Sequence, residues 1–142
     1  MKMSDPLRSY RETQIKTATQ GKLIVMLYDG AIKFINLALE SMQDGKAKYD
    51  SISNHIIKAQ DIVTELMVSL DFEKGGEIAK SLFSLYMFIN RQLLDANIQK
   101  ESDPLDTVKK LLIELRSAWV EVSDKKSLDQ QSTSPGGVNI AG

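Results

Sequence analysis

Hydrophobic residues recur at alternating intervals of three and four along this chain, and this spacing restricts the fold more than any other feature. Such spacing gathers apolar side chains on one face of an α-helix and matches the seams through which helices pack in bundles. No proline lies between Pro6 and Pro104, so nothing in that span forbids long helices. No stretch alternates in the manner of a β-strand. The sequence therefore predicts an all-α fold.

Glycine, proline and capping residues divide the chain into four predicted helices. Gly45 ends the first, Gly75 and Gly76 break the chain before the third, and Asp103 and Pro104 suit the start of the fourth. The helices are predicted at about residues 20–43, 47–70, 77–99 and 104–124. Their short links favour an antiparallel up-down four-helix bundle.

The predicted domain organisation has three parts. Residues 1–20 form a flexible N-terminal arm, residues 21–124 the four-helix bundle, and residues 125–142 a disordered C-terminal tail. The arm and the tail are assigned from their polar composition, which gives little apolar surface to bury.

Each predicted helix carries one apolar stripe that is assigned to the core. In the first helix it consists of Ile24, Leu27, Ala31, Phe34 or Ile35, Ala38 and Met42. In the second it is Ile52, Ile56, Ala59, Val63, Leu66 and Leu70. In the third it is Ile78, Leu82, Leu85, Ile89, Leu93 and Ala96. In the fourth it is Leu105, Val108, Leu112, Leu115, Trp119 and Val122.

A second set of residues, mostly large and hydrophobic, lies off these core stripes. On the third helix the set falls on nearly the opposite side from the core stripe, at about 100° per residue. Its members are Phe83, Met87, Leu94 and Ile98 on the third helix, Ile57, Thr64 and Val68 on the second, and Ile113 and Val120 on the fourth. Aligned apolar residues outside a core predict grooves that bind an amphipathic helix of a partner protein.

The sequence leaves three alternatives to such partner grooves open for this second set. The core stripe of the third helix is misplaced, or the arm or the tail of the same chain covers the set, or the set is a self-association interface of a homodimer or larger oligomer. The last of these makes the protein a helical structural or adaptor protein.

Composition argues against other classes of function. The chain is 42% hydrophobic with a formal net charge of −1, so it has no basic field for nucleic acid and no sign of direct membrane insertion. It contains no cysteine and a single histidine, His55, and it lacks nucleophile-elbow and phosphate-loop motifs. We expect a cytoplasmic protein that is not an enzyme and that has no metal and no cofactor.

Two residues of the first helix have predicted local roles. Gly30 interrupts a strongly helical stretch at a cost of about 1 kcal/mol relative to alanine, which indicates close approach of another backbone. Its neighbour Tyr28 is amphipathic, so its hydroxyl is expected to be hydrogen-bonded at the end of the bundle.

Four motifs occur in a fixed order along the chain. They are Leu7 to Ile15, Lys22 to Ala31 with its Leu-Tyr-Asp-Gly-Ala sequence, Leu70 to Ala79 with its two glycines followed by Leu85-Tyr86 and Leu93 to Asn97, and Leu115 to Trp119. In this order they resemble one known family, the flagellin-specific export chaperones of the FliS family. The signature positions carried by these motifs, with structural roles, are Leu27, Tyr28, Asp29, Gly30, Gly75, Gly76 and Trp119.

The resemblance implies an antiparallel helical bundle in the bacterial cytosol that binds the disordered C-terminal segment of flagellin in outer hydrophobic grooves. Binding keeps flagellin from polymerising early, and the chaperone delivers it to the export-gate protein FlhA. The resemblance also implies that the N-terminal arm covers part of the free surface, is displaced on loading and takes part in docking to the gate through Leu7 and Tyr10. The anti-sigma factor FlgM or a co-chaperone is a further candidate partner.

Overall fold

A computed structural model describes residues 20–44 and 48–132, with side chains as far as residue 124. The described residues form four helices: α1 (Gln20–Gln43), α2 (Tyr49–Val68), α3 (Phe72–Gln99) and α4 (Asp103–Ser132). The described residues include no β-strand, and the predicted all-α class is confirmed. The predicted flexible arm, with Leu7 and Tyr10, lies outside the described residues, as do residues 133–142 of the predicted tail.

The third helix starts earlier than the sequence predicted. Asp71 caps its first turn, because the side-chain Oδ1 accepts hydrogen bonds of 3.0 Å from the backbone N–H groups of Glu73 and Lys74. Gly76 then interrupts the helical path with φ 52° and ψ −125°. The glycine pair was predicted to break the chain, whereas the structure places a complete capped turn, Phe72 to Gly75, before the break.

The fourth helix also exceeds its predicted length, because α4 continues to Ser132 rather than ending near residue 124. Residues 125–132, which the sequence analysis assigned to the tail, are therefore helical. Neither glycine nor proline occurs between Pro104 and Pro135, so no residue in that span breaks a helix. Polar composition was the only signal for a tail, and a polar helix has the same composition.

The chain divides into two compact units, one of which is Met26–Arg116 and contains parts of all four helices. The other contains residues 20–25 of α1 and residues 117–132 of α4 among its described residues. Within this second unit, a Cβ atom on Gly21 would lie 2.7 Å from the Oγ of Ser123, so only glycine fits there without a shift.

In the Met26–Arg116 unit, contacts between side chains define the directions of the helices. Gly30 of α1 faces Ile62 of α2, whose Cδ1 would lie 3.1 Å from an added Cβ. One turn later in α1, the ring of Phe34 lies nearly parallel to that of His55, with centroids 6.5 Å apart. Since residue numbers rise along α1 while those of their partners fall along α2, the two helices are antiparallel.

The helix pairs α2–α3 and α1–α4 are also antiparallel. Ser53 of α2 donates a hydrogen bond of 2.8 Å to Asn97 of α3, whereas the later Thr64 accepts one of 3.3 Å from the earlier Asn90. Between α1 and α4, Arg116 pairs with Asp29, while residues nearer the end of α1 share a cleft with the start of α4. These contacts establish the predicted antiparallel four-helix bundle.

Most of the predicted core is buried, and the third helix shows the main exception. Of the two alternatives that the sequence analysis left open in α1, Ile35 is buried and Phe34 is not fully buried. In α2 the buried residues are Ile52, Ile56, Ala59, Val63 and Leu66. In α3, however, Ile78 is 72% exposed, and Ala79 and Tyr86 are buried instead of Ile78 and Leu85. Leu105, Val108 and Leu112 of α4 are buried, but Val122 is exposed.

The α3 core has a physical reason to include Ala79 and Tyr86. The stripe Ala79, Leu82, Tyr86, Ile89, Leu93 and Ala96 alternates intervals of three and four without a fault, as the predicted stripe does not. The kink at Gly76 also brings Gly75 so close to Ala79 that their Cβ atoms would be 2.8 Å apart. The predicted assignment of Ile78 and Leu85 to the α3 core is therefore not confirmed, since Ile78 is exposed and Leu85 is only half-buried.

Candidate functional site

The corrected core changes the position of the second apolar stripe on α3. Measured from the observed core, Phe83, Met87, Leu94 and Ile98 lie about 120° around the helix, closer to its flank than the sequence analysis placed them. Asn90 occupies the middle of this stripe, and its Nδ2 donates to the Oγ1 of Thr64 on α2 at 3.3 Å. The stripe therefore runs along the side of α3 that borders α2.

A matching stripe runs along the side of α2 that borders α3. It consists of Ile57, Asp61, Thr64 and Val68, which are spaced by four, three and four residues and so share one helical face. Thr64 is tied to α3 by the hydrogen bond from Asn90. The two stripes lie beside each other on adjacent helices, and we call the exposed surface that they form the α2–α3 groove.

Both ends of the α2–α3 groove are apolar. Since α2 and α3 are antiparallel, Ile57 lies at the same end as Leu94 and Ile98, and these side chains are 46%, 48% and 71% exposed. Val68 lies at the other end with Phe83 and Met87, which are also exposed.

Phe72, in the capped first turn of α3, extends the second apolar end. Its ring packs edge-on against that of Phe83 with centroids 5.9 Å apart, and 47% of it is exposed. Sequence analysis missed Phe72 because the residue was assigned to the break between helices. The signal that could have found it is Asp71, a strong helix-capping residue directly before it.

The middle of the groove is polar. Thr64 donates to the backbone oxygen of Gln60 at 3.0 Å and accepts from Asn90, whose Oδ1 is buried without a hydrogen-bond partner. Asp61 on α2 and Arg91 on α3 are exposed, and each lies opposite the buried face of its own helix. A polar band thus separates the two apolar ends.

The predicted residues of the fourth helix lie elsewhere. Ile113 is 42% exposed and precedes Arg116 by one turn, so it is on the face of α4 that borders α1 through the pair of Arg116 with Asp29. It does not continue the α2–α3 groove. Val120 is half-buried and belongs to the other compact unit.

Several exposed hydrophobic residues were not predicted for any site. Besides Phe72, they are Met26, Tyr49 and Phe88, and Ile78 and Val122 join them from the predicted core. Phe88 is 43% exposed but lies on a different face of α3 from the groove stripe. Phe88 is therefore an exposed phenylalanine that lies outside the groove.

The signature positions of α1 have local structural contacts. Tyr28 is fully buried and its hydroxyl lies 2.5 Å from that of Tyr86, so the predicted hydrogen bond is present. Asp29 pairs with Arg116. The lack of a side chain at Gly30 leaves room for the side chain of Ile62, whereas the sequence analysis predicted the close approach of a backbone.

The remaining signature positions are Leu27, which is half-buried, the two glycines at the start of α3, and Trp119, which is half-buried in the other unit. Gly76 adopts a positive φ that side chains rarely adopt. Gly75 makes the close approach to Ala79 described above.

Two kinds of site were searched for in the described part of the chain. No group of three or more histidine, cysteine, aspartate or glutamate residues within it could hold a metal ion. None of the four helices is both long and apolar enough, over its described residues, to cross a lipid bilayer.

The described residues place the protein in the class of all-α helical bundles, with exposed apolar residues on adjacent helices. Residues 3–126 match the family described as Flagellar protein FliS. The chain therefore belongs to the FliS family, and it is a helical-bundle chaperone of flagellar assembly.

Curated relatives agree with this family. The chain is 30% identical to the flagellar secretion chaperone FliS of Bacillus subtilis, over 94% of this chain and 97% of the relative. It is 35% identical to FliS of Salmonella typhimurium, over 84% and 87% of the two chains. It is 32% identical to FliS of Vibrio cholerae, over 84% and 90%.

Proposed function

We propose that this protein is a cytoplasmic flagellar export chaperone that binds the C-terminal segment of flagellin in the α2–α3 groove and prevents its premature polymerisation. The observation that carries the proposal is the pair of exposed apolar stripes on adjacent helices, in a chain whose relatives are named flagellar secretion chaperones. On this proposal the protein acts by binding and has no enzymatic activity.

The dimensions of the groove support a helical ligand. The α3 stripe from Phe83 to Ile98 spans about 22 Å at 1.5 Å per residue, which matches a partner helix of about fifteen residues. Each large apolar side chain that becomes buried contributes roughly 1.5–3 kcal/mol. Ordering a disordered partner offsets part of this free energy. We expect that burial of the four apolar residues of the α3 stripe exceeds the ordering cost by enough for specific binding.

Delivery to the export gate is the second part of the proposal. By the resemblance of the N-terminal motif, Leu7 and Tyr10 dock the loaded chaperone to FlhA after cargo displaces the arm from the groove. Deleting the first fifteen residues should then preserve flagellin binding and weaken docking of the loaded complex to FlhA. Equal docking by the deleted protein would contradict this role of the arm. FlgM or a co-chaperone stays a candidate for a further partner.

The groove assignment is tested by introducing a charge into it. Phe83→Glu and Leu94→Glu should each abolish binding of the flagellin C-terminal segment in titration calorimetry, because a carboxylate would have to be buried against apolar groups. Helix content by circular dichroism should stay unchanged, since both side chains are exposed in the free protein.

Phe88→Glu is the matched control, because it makes the same change at an exposed position of the same helix outside the groove. It should bind the flagellin segment like the unaltered protein. Unchanged affinity of both groove variants would refute the groove assignment. Equal loss in all three variants would indicate damage to α3 rather than loss of a binding surface.

A further inference from the structure

The sequence contains no cysteine and six methionines, so methionine thioethers are its only oxidisable sulfur groups. Four of the six methionines lie in the described residues. Met26 and Met87 are 62% and 49% exposed, whereas Met42 and Met67 are half-buried. Because oxidation of a thioether depends on the access of the oxidant, we expect Met26 and Met87 to react before Met42 and Met67.

The two exposed methionines lie in different surroundings. Met87 belongs to the α3 stripe of the α2–α3 groove, one helical turn after Phe83, and both of these side chains are exposed. Met26 lies nearly opposite the buried face of α1 and so outside the groove. Oxidation therefore changes the groove surface at Met87, whereas oxidation at Met26 leaves that surface as it is.

Oxidation of the Met87 thioether by hydrogen peroxide transfers one oxygen atom to sulfur. A lone pair of the sulfur forms the S–O bond while the O–O bond of the peroxide breaks. The hydroxide that leaves takes the proton from the transferred oxygen and becomes water. Sulfur is oxidised by two electrons and the peroxide is reduced. An apolar side chain thereby becomes a polar sulfoxide, and methionine sulfoxide reductases reverse the change.

We propose that Met87 is an oxidation site that controls binding in the α2–α3 groove. The reduced side chain supplies apolar surface that the bound segment buries. The sulfoxide oxygen is hydrated in the free protein, and burying it beneath the segment removes that water. This inference rests on the proposed function and adds a reversible chemical control to it.

The expected loss of affinity is about tenfold or more, which is the contribution of one fully buried methionine side chain. The fold of the free protein should be unaffected, because Met87 is 49% exposed and its sulfoxide oxygen stays in water. Helix content by circular dichroism before and after oxidation checks that the loss of binding is not unfolding.

The full chain is treated with hydrogen peroxide, the peroxide is removed with catalase, and the flagellin C-terminal segment is then titrated by calorimetry. The segment itself never meets the oxidant. Peptide mapping by mass spectrometry gives the extent of oxidation at each methionine. The treated protein should bind about tenfold or more weakly, and incubation with methionine sulfoxide reductases should restore its affinity.

Three variants assign the effect to one methionine, and each is compared with itself before treatment. Met87→Leu keeps an apolar side chain of similar volume without the thioether, so peroxide should change its affinity by less than about twofold. Met26→Leu, the matched control outside the groove, should lose affinity on treatment as the unaltered protein does. Met87→Gln, which introduces a polar side chain of similar length, should bind weakly without any peroxide.

Every outcome decides the inference. An equal loss on treatment in Met87→Leu and the unaltered protein would refute it, as would full affinity of a protein in which mapping shows Met87 oxidised. Slower oxidation of Met87 than of Met42 and Met67 would also refute it, and mapping measures this order without any partner. Absence of binding by the untreated, unaltered protein would instead refute the proposed function, and the control of binding with it.

Discussion

The hydroxyl groups of Tyr28 and Tyr86 meet inside the bundle, where both side chains are no more than 1% exposed. Their oxygens are 2.5 Å apart and their rings are tilted by 53°. The bond joins α1 to α3 and satisfies polar atoms that would be costly to bury alone. Tyr86 can therefore lie in the core of α3, where the sequence analysis had assigned the neighbouring Leu85 instead.

Removing one hydroxyl tests the contribution of this pair. Tyr86→Phe should lower the free energy of unfolding by about 1–2 kcal/mol, because the Tyr28 hydroxyl loses its partner at Tyr86 while the apolar packing stays. Urea denaturation measures the loss. Tyr49→Phe, at a site that is 64% exposed, is the control and should have little effect. Equal stabilities of all three proteins would show that the buried bond contributes nothing.

The same tyrosine predicts a pH dependence. Burial raises the pKa of Tyr86 above its ordinary value of 10.0, and the hydrogen bond with Tyr28 opposes part of that increase. Above pH 10 the unfolded chain therefore releases the proton more readily than the folded protein does, and stability falls as pH rises towards the folded pKa. Below pH 10 the contribution of Tyr86 is constant.

Urea denaturation at pH 9 and again above pH 10 checks this sign. The unaltered protein should lose stability over that range, and Tyr86→Phe should lose less because it lacks the titrating group. An identical decline in both proteins would assign the alkaline sensitivity to other residues.

At the scale of the element, the start of α3 depends on two adjacent glycines with different roles. Gly76 has φ 52°, and an added Cβ would meet nothing within 4 Å. Glycine is therefore favoured here by the backbone conformation and not by lack of space. Gly75 meets a steric limit at Ala79. Together they allow the turn that contains Phe72 to pack against Phe83 beside the groove.

Gly76→Ala should therefore destabilise the protein by about 1–2 kcal/mol, because a side chain rarely adopts positive φ. Thermal or urea unfolding measures the loss, and Lys74→Ala in the same exposed turn is the control. A neutral or stabilising effect of Gly76→Ala would show that the start of α3 can continue as a regular helix.

The other end of α3 is held to α2 by Lys100. This residue has φ 54°, and its ammonium donates to the Ser53 Oγ at 3.0 Å and to the Asn97 Oδ1 at 2.7 Å. The ammonium also lies 5.8 Å from the centre of the Tyr49 ring. The two helices that form the groove are thus joined by Lys100 at one end and by the short link through Ser69 and Leu70 at the other.

At the scale of the whole molecule, the proposed function predicts that the partner folds as it binds. Mixing the chaperone with the flagellin C-terminal segment should give more helical circular dichroism than the sum of the separate components, because the segment becomes ordered in the groove. The Phe83→Glu variant should give an additive spectrum. An additive spectrum for the unaltered protein, despite binding, would contradict coupled folding.

Native mass measurement at low concentration addresses the alternative use of the same surface. The proposed function predicts that the apolar groove is available in the free protein and that flagellin segment and chaperone combine in equal numbers. A stable dimer that Phe83→Glu dissociates would favour the self-association interface instead.

Residue spacing was enough to predict the all-α class, the four helices of the described residues and most of the core. Intervals of three and four residues place Ile52, Ile56, Ala59, Val63 and Leu66 on one face of α2 wherever that helix packs. Capping residues and prolines gave the start of α4 for the same local reason. The members of the α3 groove stripe were also found from their helical spacing.

Only the tertiary structure decided where that stripe lies and what it adjoins. A helix with apolar residues on several faces has more than one acceptable core, and packing against α1 and α2 selected Ala79 and Tyr86 over Ile78 and Leu85. That choice moved the stripe to the flank of α3 beside α2. It also brought Asn90 within hydrogen-bonding distance of Thr64 on α2, a relation between distant residues that local spacing does not contain.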